Sequence, residues 1–146
     1  SADSDPVWSP NGSMLAFRKW EAAGLADICI VTPGLNETKC FTQYKETGIP
    51  AWSPDNAKLA YRVKNGDEWI IEIANIYDSG SYQLSTTYAP KGNPVWSPDS
   101  NWVGYQVDFG GNMEIIIKRA NGDDGGEERR LTTSSAYDGE LAWYWR

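Results

Sequence analysis

The 146 residues of this chain contain no histidine. Its absence removes the side chain most used as a general base at neutral pH, the commonest metal ligand, and any Ser-His-Asp or Cys-His arrangement. No Gly-Xaa-Ser-Xaa-Gly elbow is present either. Cysteine is limited to Cys29 and Cys40, and with no base to activate them neither reads as a catalytic thiol. Basic charge is scarce, with 13 Lys and Arg against 20 Asp and Glu and a net charge of −7. The basic pair Arg129-Arg130 sits directly behind Glu127-Glu128. Phosphate binding needs clustered Lys and Arg, so nucleic acid and anionic membrane surfaces are not expected as partners. No apolar run approaches the ~20 residues of a membrane helix, and no membrane insertion is expected. Residues 1–5 are polar and acidic, unlike a secretory leader.

Aromatic residues, by contrast, are plentiful: 8 Trp and 8 Tyr in a chain that is 40% hydrophobic. That is enough apolar surface for one folded domain with its own core. The tryptophans are periodic. Val7-Trp8-Ser9-Pro10-Asn11-Gly12, Ala51-Trp52-Ser53-Pro54-Asp55-Asn56 and Val95-Trp96-Ser97-Pro98-Asp99-Ser100 place Trp8, Trp52 and Trp96 44 residues apart. Ala142-Trp143 is a worn fourth copy, 47 residues after Trp96. A period of about 40–45 residues is that of a four-stranded propeller blade.

Each repeat reads as four short strands. In the first, residues 6–9, 14–18, 27–32 and 38–43 are the strands, Leu15 and Phe17 sharing one face of the second with the small Ala16 on the other, with turns at Ser9-Pro10-Asn11-Gly12 and Pro33-Gly34-Leu35-Asn36. A polar loop, 19–26, separates the second and third strands. The three blades are expected at 6–43, 50–86 and 94–133, followed by an extra inner strand at 141–146. Phe17, Tyr61 and Tyr105 each follow their Trp by nine residues, and Ala16, Ala60 and Gly104 keep the preceding place small. A small residue at a fixed strand position implies close approach of a neighbouring layer. The acidic segment at 121–128 reads as a solvated hairpin tip, because it lacks the alternating ligands of a calcium loop.

Cys29 and Cys40 are equidistant from the turn centred on Gly34-Leu35, so a cross-strand disulfide is conceivable. Counted back from the next Trp, Cys40 matches Leu84 and Leu131, and Cys29 shares the parity of Ile71 and Ile73. On that count both are core positions where a free thiol acts as a small hydrophobe.

The motif Trp52-Ser53-Pro54-Asp55, the strand Leu59-Ala60-Tyr61 and the terminal Arg130-Leu131-Thr132 together resemble the TolB-type β-propeller repeat. The Gly-His and Trp-Asp signatures of WD repeats are missing. The resemblance implies an all-β fold of four-stranded antiparallel blades around a central channel, with strand one innermost. It also implies that the links between blades share one face with the strand two-to-three loops, and that partners dock on this face. It favours a periplasmic or extracellular setting over a cytoplasmic one. On that face Trp20, Tyr44, Tyr88, Phe109, Tyr137 and Asp138 are the candidate binding residues. Asp3, Asp5, Asp138 and Glu140 could meet at the channel mouth, but no metal-ligand pattern is read from them.

Propellers typically close with four to eight blades, because each blade buries its faces only against neighbours. Three blades therefore predict self-association, two copies making a six-bladed ring. Val7, Trp8, Leu141, Trp143 and Trp145 are the interface candidates, with the last strand duplicating or replacing its counterpart in the partner. The functional expectation is a non-catalytic module binding itself and a protein or small ligand, with no cofactor and no metal. The alternatives are the propeller portion of a larger enzyme, such as a prolyl-oligopeptidase-like peptidase, and a purely structural self-assembling unit.

Overall fold

The computed structural model describes residues 3–22, 24–35, 37–78, 80–85, 90, 92–121 and 128–133. They form three four-stranded antiparallel sheets, each with its strands in sequence order. The first holds β1 (Ser4–Trp8), β2 (Leu15–Ala22), β3 (Leu25–Val31) and β4 (Thr38–Cys40). The second holds β5 (Ala51–Trp52), β6 (Lys58–Asn65), β7 (Glu68–Asn75) and β8 (Ser81–Gln83). The third holds β9 (Val95–Trp96), β10 (Trp102–Asp108), β11 (Met113–Arg119) and β12 (Arg129–Arg130). The expected strand at 141–146 and acidic tip at 122–127 lie outside the described residues.

The Ser-Pro turn is built identically three times. Ser9, Ser53 and Ser97 each accept the N–H of Met14, Lys58 or Trp102 on Oγ, at 2.8–3.0 Å. Each hydroxyl donates to the Asn or Asp two residues on: Asn11, Asp55 or Asp99. That side chain also accepts a backbone N–H from Ser13, Ala57 or Asn101, an Asx turn that closes the corner. The next residue takes positive φ: Gly12 at 71°, Asn56 at 63° and Ser100 at 60°. Asn tolerates this region; Ser pays some strain there.

Two apolar clusters join the three sheets. Ala16, Ile28 and Ile30 of the first pack with Trp52, Leu59, Tyr61 and Val63 of the second. Ala60, Ile71 and Ile73 of the second pack with Trp96, Val103, Tyr105 and Val107 of the third. Each blade therefore turns its small residue toward the next blade and its aromatic pair toward the previous one. The small position is the point of close approach, as its chemistry requires.

The Trp residues also stitch blades by hydrogen bonds. Trp52 Nε1 donates to the Val7 carbonyl at 2.9 Å and Trp96 Nε1 to the Ala51 carbonyl at 3.0 Å. The turns repeat the device: Asn11 N–H donates to Asn56 Oδ1 and Asp55 N–H to Ser100 Oγ. Trp8 has the same place in the first blade, yet it is 56% exposed.

Two local expectations are corrected. The polar loop at 19–26 is a tight hairpin: β2 runs to Ala22 and β3 begins at Leu25, with a register irregularity between Trp20 and Ala22. The cysteines are bonded to each other rather than free. Their register is Cys29↔Cys40, equivalent to Glu72↔Gln83 and Ile116↔Arg130. The partner of buried Leu84 is Phe41, since both donate their N–H to the equivalent carbonyls of Ile71 and Ile28. Matching Cys40 to Leu84 was a slip of one residue, and in a strand one residue reverses the face. Cys29 is buried opposite Phe17, while Cys40 is exposed.

The Leu-Thr ending of the repeat has a physical role. Thr42, Ser85 and Thr132 accept the N–H of Ile28, Ile71 and Ile115 on their hydroxyls at 2.9 Å. Strand four is thus held to strand three beyond the point where regular pairing stops.

Candidate functional site

The β2–β3, β6–β7 and β10–β11 turns lie at the same ends of the sheets as the links into β5 and β9. Thr47 bridges Val63 and Pro90 bridges Val107, so each link runs beside the second strand of the blade it enters. Gly48 N–H donates to the Arg62 carbonyl, and Ile49 N–H to Asn93 Oδ1, the latter tying one link to the next.

A cavity of about 330 Å³ opens here, lined by Arg18, Glu46, Gly48, Arg62, Trp69 and Asn93 among others. Arg18 and Arg62 occupy the same place on the second strands of adjacent blades, ten residues after Trp8 and Trp52. Gln106 is the third member of the series. Arg18 donates from Nη1 to Asp5 Oδ2 at 3.1 Å and lies over the Trp20 ring at 4.7 Å. Its side chain is 17% exposed, and its Nε is buried without a hydrogen-bond partner among the described residues. Arg62 lies over Trp69 at 4.1 Å. Burial, and then the positive field of Arg18, lower its pKa from the usual guanidinium value; it stays charged all the same. Glu46 at the rim accepts from Lys64 Nζ at 2.7 Å. The Asp5 carboxyl is held below its usual pKa by the hydroxyl of Ser4 first, then by Arg18 against the opposing effect of burial. Gly48 keeps the floor open, because a Cβ there would collide with Asn93 Oδ1 and come 3.3 Å from Arg62 Cβ.

None of the described sequence-predicted binding residues is among those lining this cavity. Tyr44 is 61% exposed at positive φ (52°), at the start of the link into β5. Trp20 is half-buried and donates from Nε1 to Ser4 Oγ at 2.9 Å. Phe109 packs against the second cluster beneath Arg130, whose guanidinium is 4.3 Å from the ring. Trp20 and Phe109 thus both pack against neighbouring side chains, and Tyr44 is the most exposed of the three. Val7 packs in the first cluster and lends its carbonyl to Trp52. Tyr88, Tyr137, Asp138, Leu141, Trp143 and Trp145 lie outside the described residues.

Away from the cavity, Glu114 is fully enclosed. It accepts from Arg130 Nη2 at 2.5 Å, Thr132 Oγ1 at 2.6 Å and Asn112 Nδ2 at 2.7 Å. Arg130 and then Thr132 hold its carboxyl below the ordinary range. Every oxygen is occupied by blade-internal donors, so this is a clamp on strand four rather than a reactive acid. Tyr61 is raised well above an ordinary phenol, by burial first and the Glu72 carboxylate second. Among the described residues no three His, Cys, Asp or Glu side chains converge as metal ligands. Among the described residues no helix is long and apolar enough to cross a membrane.

The sequence matches the TolB beta propeller domain family over residues 3–144. The chain belongs to that family. A putative TolB from Agrobacterium tumefaciens superposes with a TM-score of 0.75 at 23% identity, over 92% of this chain and 47% of that one. TolB from Acinetobacter baumannii gives 0.75 at 18% identity, over 93% and 33%. A prolyl endopeptidase structure gives 0.69 at 16% identity, over 91% of this chain and 22% of that one. No curated relative matches. The chain thus spans under half the length of the TolB structures it resembles, and at these identities the likeness establishes the β-propeller fold alone.

Proposed function

We propose that this chain is a non-catalytic TolB-like propeller module that docks a protein or small ligand on its loop face and associates with a second copy to complete a six-bladed ring. The docking reading is supported by the loop face itself, where the link into β5 carries exposed Tyr44 and a separate polar cavity between the blades is lined by Arg18 and Arg62. Surfaces that combine an aromatic anchor with Arg are where binding energy concentrates. The net charge of −7 argues against nucleic acid and anionic membranes as the docked species. If the docking reading holds, Tyr44→Ala weakens retention of a partner from native lysate relative to the parent chain. Equal retention by both, or none by either, overturns it.

Association is supported by Trp8. Its two equivalents are buried and donate to the preceding blade, whereas Trp8 is exposed and Phe17, the counterpart of fully buried Tyr61 and Tyr105, is half-buried. Light scattering is expected to give twice the 16.3 kDa chain mass. A monomer stable at micromolar concentration overturns association. The Cys29–Cys40 bond favours an oxidising compartment, periplasmic or extracellular, where such bonds persist. A second reading, the propeller part of a longer peptidase, is favoured by the structural likeness to a prolyl endopeptidase over 22% of that chain. It predicts no peptidase turnover by these residues alone.

A further inference from the structure

Resting on the reading of the loop face as the docking surface, we propose that the cavity between the first and second blades binds one carboxylate group of the incoming ligand, held by the guanidiniums of Arg18 and Arg62. The 44-residue repeat brings these two side chains to one wall. Two like charges in a partly buried site repel, and a chain with 20 acidic and only 13 basic residues places both there. A bound anion relieves the repulsion and the desolvation together. The Arg62 guanidinium already carries both strains, burial first and the Arg18 field second.

A carboxylate fits better than a phosphate. The lining holds two guanidiniums and a single carboxylate, Glu46, which Lys64 engages; Asp5 stands behind Arg18 and takes its Nη1. A dianion meets Glu46, Asp5 and the field of a chain at −7. The Arg fork matches the planar carboxylate with two parallel hydrogen bonds. Asp5 already takes one such bond from Arg18, Nη1 to Oδ2 at 3.1 Å. Ile49 and Trp69 add apolar walls, and about 330 Å³ admits a small organic acid or the acidic end of a peptide, at the lower end of ligand-site volumes.

The test is an NMR titration of the intact chain at fixed ionic strength with propionate, the tripeptide Gly-Gly-Glu, propionamide and inorganic phosphate. Both carboxylates are expected to saturate shifts at residues lining the cavity, while propionamide leaves them unmoved. Tighter binding of the peptide identifies a peptide-borne carboxylate as the natural group, and equal binding a free acid. Arg62→Gln weakens carboxylate binding at least tenfold. Arg62→Lys keeps the charge but not the fork and weakens it less, and Arg119→Gln in the third blade changes nothing. Thermal melts of the variants separate a binding loss from a folding loss. Phosphate binding tighter than carboxylate, propionamide binding as well as propionate, an unaltered Arg62→Gln, or no saturation at all overturns the assignment. Loss of partner docking with the titration intact overturns the docking reading alone.

Discussion

Trp52→Phe is the sharpest perturbation of the way the blades are joined. Trp52 is buried in the first cluster, and its Nε1 donates to the Val7 carbonyl at 2.9 Å. Phe keeps one aromatic ring but removes the donor and the five-membered ring. An orphaned buried acceptor costs about 1–3 kcal/mol, and the void left by the lost ring adds roughly 1 kcal/mol. The expected loss is about 2–4 kcal/mol, a fall in Tm of roughly 5–15 °C for a domain of this size. Trp8→Phe makes the same chemical change where the indole is 56% exposed. In the single chain it is expected to cost under about 0.5 kcal/mol, as exposed substitutions do. Urea unfolding of both variants, run from sub-micromolar to tens of micromolar protein, separates the two. Trp52→Phe should lower the midpoint at every concentration. Trp8→Phe should lower it only where the parent chain's midpoint rises with concentration, because linkage to association acts there. Equal losses for both variants at the lowest concentration would refute the blade-stitching account, as would an unchanged Trp52→Phe.

The disulfide closes a separation of 11 residues; by the chain-entropy relation, Cys29→Ala with Cys40→Ala costs about 2–3 kcal/mol, and a reductant lowers the parent's Tm by a similar increment. An unchanged melt under full reduction would contradict this. Ser85→Ala removes the hydroxyl that accepts the Ile71 N–H at 2.9 Å in a buried setting; the expected loss is about 1–2 kcal/mol by denaturant titration, against near zero for Ser13→Ala on the exposed turn. The Asp99 carboxyl has a pKa lowered to about 2 by Ser97 first and then Asn101. Because the folded value is depressed, its contribution is present above the ordinary Asp range and is lost as pH falls from about 4 through 2. Asp99→Asn, the residue that serves at position 11, should flatten that part of a stability-versus-pH curve, and an unchanged slope would argue against the turn as its source.

The three sheets were legible because a repeat shows itself three times. The serine, the Asx acceptor and the positive-φ residue are all local, so their chemistry is readable from six consecutive residues. The face assignment of strand four was not legible by counting from the next Trp. Link lengths differ between blades, and the count that aligns Cys40 with Leu84 is displaced by one from the pairing that aligns Phe41 with it. Thr42, Ser85 and Thr132 carried the correct register all along, since each hydroxyl must face the same N–H. Arg18 and Arg62 escaped for a different reason. The pattern common to all three repeats ends at Phe17, Tyr61 and Tyr105, because Gln106 follows where the first two have Arg, and only the fold brings the two arginines to one cavity. The sequence also did not show that the indole of Trp20 and the ring of Phe109 meet cationic partners on their own sheets, Arg18 and Arg130.

The polarity of the blades sets what can cover Trp8. A blade turns Ala16 or Ala60 to its successor and a Trp with an aromatic to its predecessor, so the two faces of one blade are not interchangeable. Two first blades brought together would set indole against indole, with neither Nε1 offered a carbonyl and no small residue to admit the rings. The indole needs what Trp52 and Trp96 receive: the carbonyl preceding a Trp, beside a residue no larger than alanine. Within this repeat the third blade carries the smallest version of that face, with buried Gly104 paired to Val95. Proposed association is therefore head-to-tail, first blade on third. A head-to-tail contact made twice about a two-fold axis closes at six blades, whereas one made without closure would propagate. The solution mass distinguishes these outcomes, because closure gives one defined species and propagation gives a mass that climbs with concentration.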